Sequence, residues 1–331
     1  MPLHESEFIS LFTLDDWISS CDEAFRLYGQ GLMVNPPRVE TVERAGALDL
    51  FRLNMPAEWI GRYRGEKRIE ERSDVETGRL GARSAVIALK DLRTGARAEV
   101  EADLITNMRT GAAGALAARY LARPDPEVAA VLGTGRIAKA LTLCADRLFD
   151  LKEVRATSRR PEGRRAFAEE VGPRLRAPLR MMETIPACVE DADMVLSAVP
   201  TPGPILRPRD VRPDAHLSVM AGDARTAQLD LDLLRARPIV VDEPTQAARS
   251  GEFRAAQEAG RYGDIQFARD AQGHLLTVGD AANGRLGHLR GKGAIAYLTG
   301  LAVQDLHAAA MVYERVTGER ASTENHIDTK R

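Results

Sequence analysis

The segment Val128-Ala129-Ala130-Val131-Leu132, followed by Gly133-Thr134-Gly135-Arg136-Ile137-Ala138, constrains this chain more than any other. A short apolar run bounded by glycine suits a parallel strand buried on both faces. The six residues after it fit G-x-G-x-x-A and open GRIAKALTLCADRLF, which has the apolar spacing of a helix. In such a strand–turn–helix unit the first glycine permits the tight turn. The second lets a pyrophosphate approach the backbone, and Ala138 lets the helix pack on the strand. The helix start then offers free N–H groups and a partial positive charge to the phosphates. Without its flanks the pattern would mean an ordinary βα turn; with them it predicts a dinucleotide site.

The alternation continues downstream. VRATS reads as a second strand, PEGRRAFAEEVG as a helix, ADMVLSAV as a third strand, and HLSVMAG and PIVVD as two more. That order predicts a doubly wound parallel sheet. Upstream, residues 14–29 have helical apolar spacing. Residues from about 35 to 105 form short alternating runs separated by DVETG and DLRTG, which predicts an antiparallel sheet. The Ala- and Leu-rich DLITNMRTGAAGALAARYLARP predicts a helix stopped by Pro124. Residues 294–316 read as one long amphipathic helix, and the polar end TGERASTENHIDTKR as frayed. The expected fold class is α/β: a Rossmann doubly wound parallel sheet plus an α+β domain.

A chain of 331 residues, 44% hydrophobic and 28% charged, has room for two such domains. A net charge of −2 gives no basic face for nucleic acid. No apolar run is long enough to span a membrane, and acids stand where a secretory signal carries basic residues. Cys21, Cys144 and Cys188 lie far apart, and the six histidines form no close pair. Neither a disulfide framework nor a zinc site is expected. Together these features point to the cytoplasm.

The residues after the second strand bear on the ribose. A site for NAD usually places an acid there to accept from the 2′-hydroxyl. This chain has Thr157-Ser158-Arg159-Arg160, and its Glu153 precedes the strand. Two guanidiniums and a hydroxyl suit a 2′-phosphate, so NADP(H) is favoured, with NAD(H) possible. The plainer reading of Arg159 and Arg160 is a pair of solvated loop charges.

Further pieces carry a resemblance: PPR at 36–38, NMPA at 54–57, GEK at 65–67, MRTGAAGALAARYLARPD at 108–125, GTGRIAKA at 133–140, ADMVLSAVPTPGPIL at 192–206, AGDARTAQLD at 221–230 and TGLAVQDL at 299–306. In this order, over nearly the whole chain, they resemble the ornithine cyclodeaminase/μ-crystallin family, which also holds ketimine reductases and amino-acid dehydrogenases. The resemblance implies that Arg38 and Arg109 grip a substrate α-carboxylate, for which the bidentate guanidinium fork is suited. It implies that Lys67 contacts that carboxylate or moves a proton. By its neighbours Glu66, Arg68, Glu70 and Glu71 alone, Lys67 looks like a solvated strand residue. Ser84 matches a substrate-contacting threonine. Asp223, after HLSVMAG, matches the catalytic acid/base. The expected cofactor contacts are Thr110, Gly133, Thr134, Gly135, Arg136, Ile137, Ser158, Arg159, Arg160, Ala198, Val199 and Pro200.

The same resemblance implies a division into residues 1–123 with 302–331, for substrate binding and dimerisation, and a Rossmann unit over 124–301. A homodimer acting on a small amino or imino acid follows from it. The expected activity is reduction of a small ketimine, or interconversion of an α-amino acid with its imine or keto acid. An ornithine cyclodeaminase with bound NAD is the alternative, and a non-catalytic dinucleotide-binding protein a further one.

Overall fold

A computed structural model describes residues 1–75, 80–221 and 226–318. Its strands fall into two sheets. The first contains β1 (Pro2–Leu3), β2 (Met33–Val34), β3 (Val39–Ala45), β4 (Leu48–Trp59), β5 (Tyr63–Asp74), β6 (Leu80–Asp91) and β7 (Arg97–Glu101). Their order is β1-β7-β6-β5-β4-β2, with β3 also on β4. All neighbours are antiparallel except β1, which runs parallel to β7. The period-2 pattern puts Tyr63, Lys67, Ile69, Ala85, Ile87 and Leu89 on one buried face. Helices Leu14–Gly29, Asp103–Leu121 and Ala302–Thr317 belong to the core that covers it.

The second sheet contains β8 (Val128–Leu132), β9 (Glu153–Thr157), β10 (Leu179–Met181), β11 (Met194–Ser197), β12 (His216–Met220), β13 (Ile239–Val241) and β14 (Ile295–Leu298). The order is β10-β9-β8-β11-β12-β14-β13, and every pair is parallel. This is the doubly wound sheet expected, with its order reversing between β8 and β11. Ligands bind at such a switch point, outside the carboxyl ends of the strands.

Two elements differ from the sequence reading. Residues 294–316 are not one helix. Ile295–Leu298 is a fully buried strand inserted between β12 and β13, and the helix starts only at Ala302. The break is Gly300, whose φ of +85° lies where a side chain is disfavoured. An apolar run entering a helix without a polar boundary hides a strand–helix junction from periodicity. The edge strand β10 was also not foreseen; three residues of mixed polarity carry no periodic signal. Of the C-terminal stretch read as frayed, residues 319–331 lie outside the described residues.

Helix Asp103–Leu121 joins the two sheets. Gly111 and Gly114 let it lie directly on helix Arg136–Leu148. A Cβ on Gly111 would sit 2.5 Å from the Ala140 backbone, and one on Gly114 would sit 2.7 Å from the Leu141 side chain. The Gly and Ala content of this helix is therefore a packing requirement, and it brings Arg109 and Thr110 to the sheet's carboxyl end.

Candidate active site

The glycine loop lies at the switch point. Gly133 has φ +106°, and a Cβ there would lie 2.6 Å from the Ala198 carbonyl oxygen. Its N–H donates to the Thr157 carbonyl at 2.9 Å. The ends of β8, β9 and β11 thus meet at one residue that only glycine can fill. Gly135 is the N-cap of helix Arg136–Leu148, and no side chain caps that helix. A Cβ on Gly135 would meet open space. Uncapped N–H groups beside an open, glycine-lined loop fit a dinucleotide pyrophosphate.

Beyond the loop, Thr134 Oγ1 donates to Ser158 Oγ at 3.0 Å, and Arg164 Nη1 donates to the Ser158 carbonyl at 2.7 Å. Arg159 and Arg160 are exposed, and neither pairs with a carboxylate among the described residues. Arg136 is also exposed, 3.9 Å from Asp103.

A cavity of about 330 Å³ opens at the carboxyl end of the sheet. It is lined by the expected Arg109, Thr110, Ile137, Ala198, Val199 and Pro200. It is also lined by five polar or turn residues that sequence reasoning missed: Thr226, Asp242, Thr299, Gly300 and Gln304. Asp242 is buried, and burial pushes its carboxyl pKa up against the donors it collects. Its Oδ2 accepts from the N–H groups of Thr299 and Gly300 at 2.8 and 2.7 Å, and its Oδ1 accepts from Thr299 Oγ1 at 2.8 Å. These bonds hold the Thr299-Gly300 turn. A Cβ on Gly300 would come within 2.7 Å of Arg109 Nη1, so the turn is the platform on which this guanidinium lies.

Arg109 is buried and held from behind. Its Nε donates to Asp305 Oδ1 at 3.1 Å and its Nη1 to Gln304 Oε1 at 3.2 Å. Lys67 joins the same carboxylate, donating from Nζ to Asp305 Oδ1 at 3.0 Å. Lys67 is only 2% exposed, so it is no solvated strand residue. The signal lay in the alternation Tyr63, Gly65, Lys67, Ile69, which puts Lys67 on the apolar parity of β5 between outward Arg and Glu residues. Burial lowers its pKa to about 8, with the Asp305 charge working against the shift and Arg109 adding to it.

The remaining expected residues sit differently. Arg38 does not line this cavity but a second one, with Glu40, Glu243 and Gln246; it touches the first only through Thr299, to whose carbonyl its Nη1 donates at 3.4 Å, while its Nε lies 2.9 Å from Glu40. Ser84 is not brought to the cluster. It is exposed and pairs with Glu70, whereas Lys67 pairs with Ile87, so Ser84 projects from the opposite face of the sheet. Its neighbour Arg83 has the inward parity and pairs with Glu71 at 3.0 Å and with Asp103. Asp223 lies outside the described residues; Ala221 and Thr226, described on either side of it, both line the cavity.

No helix among the described residues is long and apolar enough to cross a membrane. The model of the ornithine cyclodeaminase/mu-crystallin family matches residues 3–320. An alanine dehydrogenase of Archaeoglobus fulgidus is 29% identical over 326 residues, 97% of this chain and 96% of its own. The solved structure of an archaeal alanine dehydrogenase dimer with bound NAD superposes with a TM-score of 0.80 at 27% identity, covering 97% of each chain. The Thermococcus litoralis Δ1-pyrroline-2-carboxylate reductase, solved with NADH and L-proline, shares the fold with a TM-score of 0.82 at 23% identity over 96% of this chain and 98% of its own. With a family model spanning nearly all of its length, this chain belongs to the ornithine cyclodeaminase/mu-crystallin family.

Proposed function

We propose that this chain is an NAD(P)-dependent oxidoreductase that reduces a small ketimine, such as a cyclic imino acid, or interconverts an α-amino acid with its imine or keto acid. One observation carries the reading: buried Arg109 lines the same cavity as Ile137 of the glycine loop and the Ala198–Pro200 segment. An acid gripped by Arg109 therefore has its α-carbon beside the place a nicotinamide would occupy. Relatives named alanine dehydrogenase and ketimine reductase mu-crystallin support the same chemistry.

A bound nicotinamide would supply or accept hydride at the α-carbon. The protein's own work is to orient and to move a proton. Arg109, with Lys67 behind it and Arg38 on the far side of the Thr299 carbonyl, anchors the carboxylate and fixes the plane of the C=N bond. Such alignment supplies much of the barrier reduction. Asp223 is the residue we assign to proton transfer at the substrate nitrogen.

We assign the 2′-phosphate of NADP(H) to Ser158, Arg159 and Arg160, because two exposed guanidiniums with no carboxylate partner among the described residues follow a hydroxyl at the end of β9. We further assign residues 1–123 with 302–331 to the substrate-binding and dimerisation domain and 124–301 to the Rossmann domain. The exposed apolar residues Val34, Val39, Val42 and Leu48 on β2, β3 and β4 are the surface we assign to a homodimer contact.

The test follows oxidation of reduced cofactor with Δ1-pyrroline-2-carboxylate, Δ1-piperideine-2-carboxylate, and pyruvate plus ammonia, each with NADPH and with NADH. Turnover with at least one acid, faster with NADPH, is expected. Inactivity with all of them, together with release of proline and ammonia from L-ornithine without added reductant, would replace this reading with a cyclodeaminase.

A further inference from the structure

Among the described residues, the salt bridges of buried Lys67 and Arg109 both end on a single carboxylate, and that carboxylate is a residue beyond the carboxylate anchors. Asp305 is 1% exposed. Its Oδ1 serves both Lys67 Nζ and Arg109 Nε, at 3.0 and 3.1 Å. Its Oδ2 is buried and has no hydrogen-bond partner among the described residues. One carboxylate thus stands between two cations, all three out of water. A buried charge is tolerated only when paired, so two cations sharing one carboxylate oxygen leave guanidinium and ammonium donors to meet a further anion.

Backbone geometry puts Asp305 there deliberately. Gly65 lies two residues before Lys67 on the same face of β5, and a Cβ on it would come within 2.7 Å of the Leu306 side chain. The missing side chain lets helix Ala302–Thr317 lie close against β5, which carries Asp305 onto Lys67. At the start of the same helix, Gln304 holds the other end of the Arg109 guanidinium and accepts from the Leu301 N–H at 3.1 Å.

We infer that Asp305 is the positioning residue for acid recognition: it aims Arg109, keeps Lys67 protonated, and leaves the pair with one net positive charge for a substrate carboxylate. The inference rests on the carboxylate-anchoring role proposed above. The charged or titratable groups around Lys67 are Asp305 from helix Ala302–Thr317, Arg109 from helix Asp103–Leu121 and Arg83 from β6. Cys21, from helix Leu14–Gly29, receives a hydrogen bond from Gln304 at 3.3 Å, and burial raises its thiol to about 12, so it stays neutral. Among these described groups Asp305 is then the one anion. Arg83 is already paired with Glu71 and Asp103. Removing the negative charge of Asp305 would leave Lys67 facing only guanidiniums, and the lysine is the group that can shed its proton.

The experiment compares wild type with Asp305→Asn, which keeps the shape and removes the charge, and with Asp305→Glu. Binding of pyrrole-2-carboxylate to the NADPH-loaded protein is followed by calorimetry from pH 6 to pH 9, and KM and kcat are measured with an accepted imino acid. For Asp305→Asn we expect weakening of about tenfold or more at pH 8, recovering as pH falls toward 6, a rise in KM larger than any fall in kcat, and unchanged NADPH affinity. Asp305→Glu is expected to restore the wild-type pH limb. In a Lys67→Met background, Asp305→Asn should add no pH-dependent loss, a cycle that separates coupling to Lys67 from general loosening. A loss in Asp305→Asn that is uniform across pH, or carried by kcat with KM unchanged, overturns the inference. Wild type that binds NADPH and pyrrole-2-carboxylate yet turns over no imino acid would sink the proposed reaction while the binding arm still tests Asp305.

Discussion

Lys67 shows how burial changes the meaning of a residue. In a strand dense with Arg and Glu it reads as surface charge, yet its alternation partner residues Tyr63 and Ile69 face the core, and so does it. A lysine there pays for desolvation with its proton affinity, hence a pKa lowered to about 8. The sign of the consequence is fixed. In the role proposed for Lys67 the charged form binds the acid, so affinity for pyrrole-2-carboxylate should be flat below pH 8. Above it, affinity should fall by about tenfold per pH unit as one proton is lost. In Lys67→Met, calorimetry should find weaker binding with no such limb. An unchanged limb in Lys67→Met would assign that ionisation to another group. Ser84 is the counterexample at this scale. It was named by a matched position alone, and one residue of register decides which face of a sheet a side chain meets.

At the scale of elements, the strand–glycine loop–helix unit was legible because its physics is local. A buried strand, a turn that needs glycine at Gly133 and a helix start can each be read from adjacent residues. The Thr299-Gly300 junction was not legible, because its purpose is nonlocal: Asp242, on another strand end, holds it so that Arg109 can lie across it. Asp305 and Gln304 escaped for the same reason, being buried polar residues of an amphipathic helix whose partners lie about 200 or more residues earlier in the chain. The junction makes its own prediction. Gly300→Ala must place a side chain at φ +85° and push against the Arg109 guanidinium. Chemical denaturation should report a loss of about 1–3 kcal/mol, and acid binding should weaken with dinucleotide binding intact. Equal loss of both ligands would mean that the turn supports the whole sheet edge instead of Arg109.

Across the whole molecule, the proposed site draws on both sheets. The parallel sheet presents its carboxyl ends and glycine loop, and the antiparallel sheet presents Lys67 through a helix that borrows its acid, Asp305, from the far end of the chain. The exposed apolar residues on β2, β3 and β4 give an expectation at this scale too: light scattering on the purified protein should find a dimer, and Val42→Lys should shift it toward monomer, whereas a monomeric wild type would remove that assignment. The most direct test of the account is a paired calorimetric titration of wild type and Arg109→Met, first with NADPH and then with pyrrole-2-carboxylate. The account predicts that both proteins bind the dinucleotide alike and that the variant loses the acid by about 100-fold or more. Acid bound equally well by the variant, or a wild type with no affinity for either NADPH or NADH, would contradict it.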